Sequence, residues 1–149
     1  MAQDHQAAWR ERRRQAVAGH AAAQQAERDA EAAHGQRLIA DFVRRAHQRG
    51  LAPVRLTARA VTGHATYRTR LRGWYLKENR SVAVGVDGQF YVLMVPASLR
   101  ARLTGADVPP SRPRLVIGAG GGDGESVPLE VLLQRRLDAV DGWPQRQPE

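Results

Sequence analysis

The chain has 149 residues, 42% of them apolar but only 5% aromatic, and carries 23 Lys and Arg against 15 Asp and Glu, for a net charge of +8. That length suits one domain with an appendage, built on a modest aliphatic core. The absence of cysteine excludes disulfides, thiolate catalysis and cysteine-ligated zinc, and no apolar run approaches the roughly 18 residues of a membrane span.

Residues from about Gln3 to Gln48 read as helix. Ala, Gln, Glu and Arg dominate, proline is absent, and Gly19 and Gly35 are the weak points. Up to His34 there is no apolar stripe beyond alanine, Trp9 and Val17, so residues 1–34 read as a polar helical arm. Leu38, Ile39, Phe42, Val43 and Ala46 then share one face, which opens the α+β domain assigned to residues 35–140. Gly50, after Arg49, is the expected C′ glycine.

Strand patterns follow. Val54, Leu56 and Ala58 alternate with Arg55, Thr57 and Arg59; Gly63-His64 is a turn; Ala65 to Lys77 forms a second strand; Glu78-Asn79-Arg80 is a loop. Asp87-Gly88 lies between two β-rich runs, residues 81–86 and 89–95, and predicts a two-residue type I′ hairpin. That turn sets Val84 opposite Tyr91, Gly85 opposite Phe90 and Ala83 opposite Val92, with both faces apolar and the hairpin central in its sheet.

Ala97 to Leu103 reads as a short helix with Ser98 near its start, and Arg114 to Gly118 as a short strand. The glycine-rich segment from Gly118 to Ser126 reads as a flexible connector. It lacks the Gly-Lys-Ser/Thr of a phosphate-binding loop and carries Asp123 and Glu125 where a phosphate would sit. Ser126 is the expected N-cap of a last helix, with Pro128 in its first turn and Leu129, Leu132, Leu133 and Leu137 as its stripe. Residues 141–149 read as a disordered tail. The fold class is α+β: a long N-terminal helix, four or five mostly antiparallel strands in a meander around the Asp87-Gly88 hairpin, and a C-terminal helix.

The charge is unevenly placed. Residues 51–80 hold seven Arg and Lys against one Glu, whereas residues 119–149 hold three against six Asp and Glu. Only Lys77 is lysine. A composition rich in Ala, Gly and Arg reflects GC-rich codons, so the placement of arginine says more than its abundance. In a strand, Arg68, Arg70 and Arg72 stand in a row on one face. With Arg55, Arg59, Lys77 and Arg80 they make a candidate nucleic-acid surface; the other reading is a solvated face. Trp74 shares that face if the strand is unbroken, as a stacking platform for single-stranded bases. A bulge at Gly73 carries it into the core instead, and that position is favoured.

Chemistry finds no motif. His5, His20, His34, His47 and His64 show no paired-ligand spacing, and Ser81 and Ser98 sit in no nucleophile motif, so no metal, cofactor or catalytic residue is assigned. The start of the chain, basic at Arg10, Arg12, Arg13 and Arg14 with no apolar stretch behind it, is unlike a secretory signal, and the expected location is the cytoplasm.

The runs Arg72-Gly73-Trp74-Tyr75-Leu76, Ser81-Val82-Ala83-Val84-Gly85 and Asp87-Gly88-Gln89-Phe90-Tyr91-Val92-Leu93 resemble small uncharacterised proteins of GC-rich, actinobacterial-type genomes, over roughly residues 36–140. The resemblance implies no activity and no site. The chain therefore reads as a small basic, non-enzymatic binding protein that contacts RNA or single strands through an arginine-rich sheet face. The alternative is a protein-interaction module that uses residues 1–34 to dock on a partner or on a second copy, without nucleic acid; neither reading calls for a membrane.

Overall fold

The computed structural model describes residues 1–118 and 126–139. Residues 119–125 and 140–149, which take in the interior of the glycine-rich connector and all of the tail read at 141–149, fall outside the described residues. The remainder is an α+β fold with a long first helix, a mostly antiparallel five-stranded sheet and a last helix.

Helix α1 (Ala2–Gln48) is continuous for 47 residues, about 70 Å at 1.5 Å per residue. Every residue from 1 to 30 is exposed. The helix meets the rest of the fold from Asp29 onward. The Arg112 guanidinium contacts the Asp29 carboxylate at 2.5 Å, and the Leu115 N–H donates to Glu31 Oε1 at 2.9 Å. Gly35 lets the chain pass close: a Cβ there would lie 2.9 Å from Pro113 Cβ. One turn on, Ile39, Phe42 and Ala46 are buried, as the stripe predicts. Gly50 (φ +68°) ends the helix in a Schellman arrangement, with Gly50 N–H donating to His47 C=O and Leu51 N–H to Ala46 C=O.

The strands are β1 (Val54–Ala60), β2 (Thr66–Tyr75), β3 (Val82–Gly85), β4 (Phe90–Val92) and β5 (Met94–Val95). Their spatial order is β4-β3-β2-β1-β5; every pair is antiparallel except β1 with β5. The two ends of that order are consecutive in the chain, separated only by Leu93. The Leu93 N–H donates to Ser81 C=O beside β3, and its C=O accepts from Arg59 N–H on β1. One residue therefore joins both ends of the sheet, which closes on itself.

Closure sorts the apolar residues into two layers. Leu56, Tyr75, Ala83, Tyr91 and Leu93 pack together as one cluster. Trp74, Leu76, Val82, Val84 and Phe90 pack against α1 and against helix α3 (Leu129–Asp138) as another. The hairpin is thus largely apolar on both faces, as expected, but it is not central: β4 ends the strand order, with only an isolated bridge from Phe90 to Ser111 on its far side.

Its register differs from the expectation by one residue. Val84 faces Phe90, Ala83 faces Tyr91 and Val82 faces Val92. Only Gly88 takes positive φ (+77°), so the loop is the three residues Val86-Asp87-Gly88 rather than a type I′ pair, which requires positive φ at both central residues. The Asp87 carboxylate holds this turn, accepting from Gln89 N–H at 3.0 Å and from the Tyr91 hydroxyl at 2.5 Å. Tyr91, not Phe90, lies over Gly85: a Cβ there would meet its ring at 2.8 Å.

Helix α2 (Leu99–Thr104) is capped by Ser98, whose Oγ accepts from Ala101 N–H at 3.2 Å. The short strand after it, β6 (Val116–Ile117), pairs with β7 (Val127–Pro128) in a separate two-stranded sheet. That pairing takes Val127 and Pro128 as strand and moves the start of α3 to Leu129, so Ser126 is not its cap.

Candidate nucleic-acid interface

The alternation of the arginine strand is visible in its burial. Arg68, Arg70 and Arg72 are exposed, while Thr69 and Gly73 between and beside them are buried and Leu71 is half-buried. On the neighbouring strand Arg55 and Arg59 are exposed with Leu56 and Ala58 turned inward. Arg55 lies opposite Arg72, Thr57 opposite Arg68 and Arg59 opposite Thr66. One face of the β1–β2 hairpin therefore carries five arginines.

The irregularity in this hairpin is at residues 69–71, not at Gly73. Between the pairs Arg55↔Arg72 and Thr57↔Arg68, β1 has only Leu56, whereas β2 has Thr69, Arg70 and Leu71. Thr69 mends the ladder with its side chain. Its hydroxyl donates to Leu56 C=O at 2.7 Å and accepts from Leu71 N–H at 3.1 Å. The bulge keeps Arg70 at the surface.

Gly73 itself pairs regularly with Val54 and with Gly85. Trp74 is fully buried, the favoured position, but for a different reason from the one expected. The end of α1 covers it: Phe42 and His47 meet the indole edge-on at 5.7 and 5.6 Å, and its Nε1–H donates to Leu51 C=O at 3.1 Å.

A groove of about 720 Å³ runs between β2 and α2, with Arg55, Arg68, Arg70 and Arg100 along its walls and Ser98 and Asp107 among its polar lining. Its far wall is held by the Ala106 N–H, which donates to Arg68 C=O at 2.8 Å; at Gly105 (φ +87°) a Cβ would lie 2.8 Å from that same carbonyl. Arg100 was not anticipated in the sequence. It stands in the first turn after the Ser98 cap, but only the packing of α2 on β2 brings it beside Arg68.

Two residues of the predicted surface lie elsewhere. Lys77 is 4% exposed. It follows the inward parity of Tyr75 and opens the turn closed by Arg80 N–H donating to Lys77 C=O, so it cannot present its ammonium to a ligand on the arginine face. Arg80, at positive φ (+59°), sets its guanidinium over the Tyr75 ring, 5.4 Å from the centroid, and not in the row.

Arg55, Arg59, Arg68, Arg70 and Arg72 make no ion pair among the described residues. Arg72 reaches Pro53 C=O at 3.5 Å. Nor do the described residues contain a group of three or more His, Asp or Glu placed to hold a metal. No described helix is long and apolar enough to cross a membrane. Compared with protein-family models, with curated proteins and with solved structures, the chain matches none.

Proposed function

We propose that the chain is a non-catalytic nucleic-acid-binding protein whose contact surface is the exposed face of the β1–β2 hairpin. The observation that carries this reading is the concentration of Arg55, Arg59, Arg68, Arg70 and Arg72 on one face with no carboxylate partner among the described residues. Like charges on adjacent strands repel and weaken the sheet that bears them. An anionic ligand relieves that repulsion, and guanidinium forks suit phosphate oxygens. The groove extends the surface to Arg100.

The test is binding of labelled nucleic acid by the full chain across a salt series. Affinity should fall steeply with salt, and Arg68→Gln, Arg70→Gln and Arg72→Gln combined should abolish binding at about 0.15 M salt while the far-UV spectrum is kept. Absent or salt-insensitive binding at low ionic strength refutes the reading.

A second reading concerns α1. Residues 1–30 are exposed throughout; Trp9 (55% exposed) and Val17 (64%) share one flank of the arm with Arg10, Arg14 and Ala21. The occupant of this flank in this reading is a second copy of the arm, docked along Trp9, Val17 and Ala21. Sedimentation of the full chain and of a chain lacking residues 1–30 tests this. A concentration-dependent dimer lost on truncation supports it, and a full-length chain that stays monomeric at every concentration sedimented refutes it.

A further inference from the structure

Resting on the nucleic-acid reading, we propose that the ligand of the arginine face is a duplex, gripped by its phosphates, and not a single strand. Single strands are held by a basic groove together with aromatic rings on which bases stack. Among the described residues this face offers arginines and no ring. Tyr67, Trp74, Tyr75, Phe90 and Tyr91 are each at most 3% exposed. Trp9, the one exposed aromatic among the described residues, stands on the arm, with the Arg13 guanidinium 5.2 Å from its ring.

The shape of the charge points the same way. Arg68 and Arg72 lie opposite Thr57 and Arg55, so the bulge gathers Arg68, Arg70 and Arg72 within about 7 Å along the sheet, and Arg55 to Arg59 extend over about 13 Å of the strand beside them, about 4.8 Å away. The cations form a two-dimensional patch on a stiff closed sheet rather than a single track. A double helix presents phosphates in two dimensions and one negative charge per roughly 1.7 Å of axis, whereas a lone strand is flexible, less densely charged and must be ordered on binding. Without stacking, the single strand has only its sparser phosphate contacts to offset that ordering.

The experiment uses the full chain, a 20-base-pair RNA duplex, the matching DNA duplex and each constituent single strand, read by fluorescence anisotropy between 50 and 200 mM salt. Five phosphate contacts give a duplex log–log salt slope of about −4.5, or roughly a 500-fold loss over that range. Either duplex should bind at least tenfold more tightly than its own strand. Trp9→Ala should leave duplex affinity within about twofold, and the triple arginine-to-glutamine variant should flatten the slope by about 2.7. Single strands bound as tightly as duplexes overturn this inference and leave the nucleic-acid reading standing. No salt-dependent binding to any of the four ligands overturns both.

Discussion

Gly73 sits where β2 has a neighbour on each side, and the structure leaves no room for a side chain. A Cβ at this position would lie 2.0 Å from Val84 C=O and 2.8 Å from Gly85 Cα. Ordinary contact begins near 3.4 Å, so in Gly73→Ala the Val84 carbonyl must retreat by about 1.4 Å. Overpacking against movable side chains costs about 1–3 kcal/mol. Here the obstacle is backbone, and moving it strains the whole β2–β3 ladder, Gly73↔Gly85, Trp74↔Val84 and Tyr75↔Ala83. With one or two ladder bonds lost at about 1 kcal/mol each, the total is about 2–5 kcal/mol, a large part of the roughly 5–15 kcal/mol that holds a domain. Gly88→Ala is the control: its Cβ meets nothing within 4 Å, and only its positive φ is penalised, by about 1–2 kcal/mol. Urea unfolding followed by far-UV circular dichroism measures both. A Gly73→Ala variant within about 1 kcal/mol of the parent would refute the close approach of β2 and β3.

Thr69→Val keeps shape but removes the hydroxyl that serves Leu56 C=O and Leu71 N–H; it should cost about 2 kcal/mol by urea unfolding and weaken duplex binding by moving Arg68 and Arg70. The two interior glycines of α1 should respond with opposite signs. Gly19→Ala, with open space around it, raises arm helicity in far-UV dichroism, whereas Gly35→Ala drives against Pro113 and destabilises by about 1–2 kcal/mol. The Tyr91 hydroxyl is pushed up to about 12, by burial first and then by its hydrogen bond to Asp87 and that carboxylate's charge. The folded chain then holds this proton more tightly than the unfolded one. The resulting stability is full below pH about 10 and drains as pH rises toward 12, about 1 kcal/mol being gone by pH 11; Tyr91→Phe should remove that slope from urea midpoints taken between pH 9 and 11.

What the sequence makes legible here is what local chemistry decides. The α1 stripe, its stop at Gly50, the Ser98 cap and the exposure of Arg68, Arg70 and Arg72 follow from periodicity and backbone preference. The hairpin register does not, because Asp87-Gly88 fits both a two-residue and a three-residue loop. The choice falls to the Asp87 bonds to Gln89 and Tyr91 and to Gln36 Nε2, which donates to Gly88 C=O at 2.6 Å from another element. Trp74 is buried without the bulge that sequence logic invoked, since the cover comes from α1, about thirty residues earlier in the chain. The candidate surface was legible as the row Arg68, Arg70 and Arg72 with Arg55 and Arg59 beside it, but not in its limits. Lys77 and Arg80 look like two further cations until the turn between them carries both away from the row, and Arg100 joins only through the packing of α2.

Leu93 also imposes an order in time. During synthesis β1, β2 and β3 are complete by residue 85, yet the bonds that unite β1 and β3 through one strand wait for residues 93–95. Until then the hairpin that carries the arginines has an open flank at Arg59 and Val61. Pairings of such sequence separation form late, after the entropy of loop closure has been met. A nascent chain halted before Leu93 therefore displays its cations on an unlocked hairpin, and the segment from Leu93 to Val95 closes that flank.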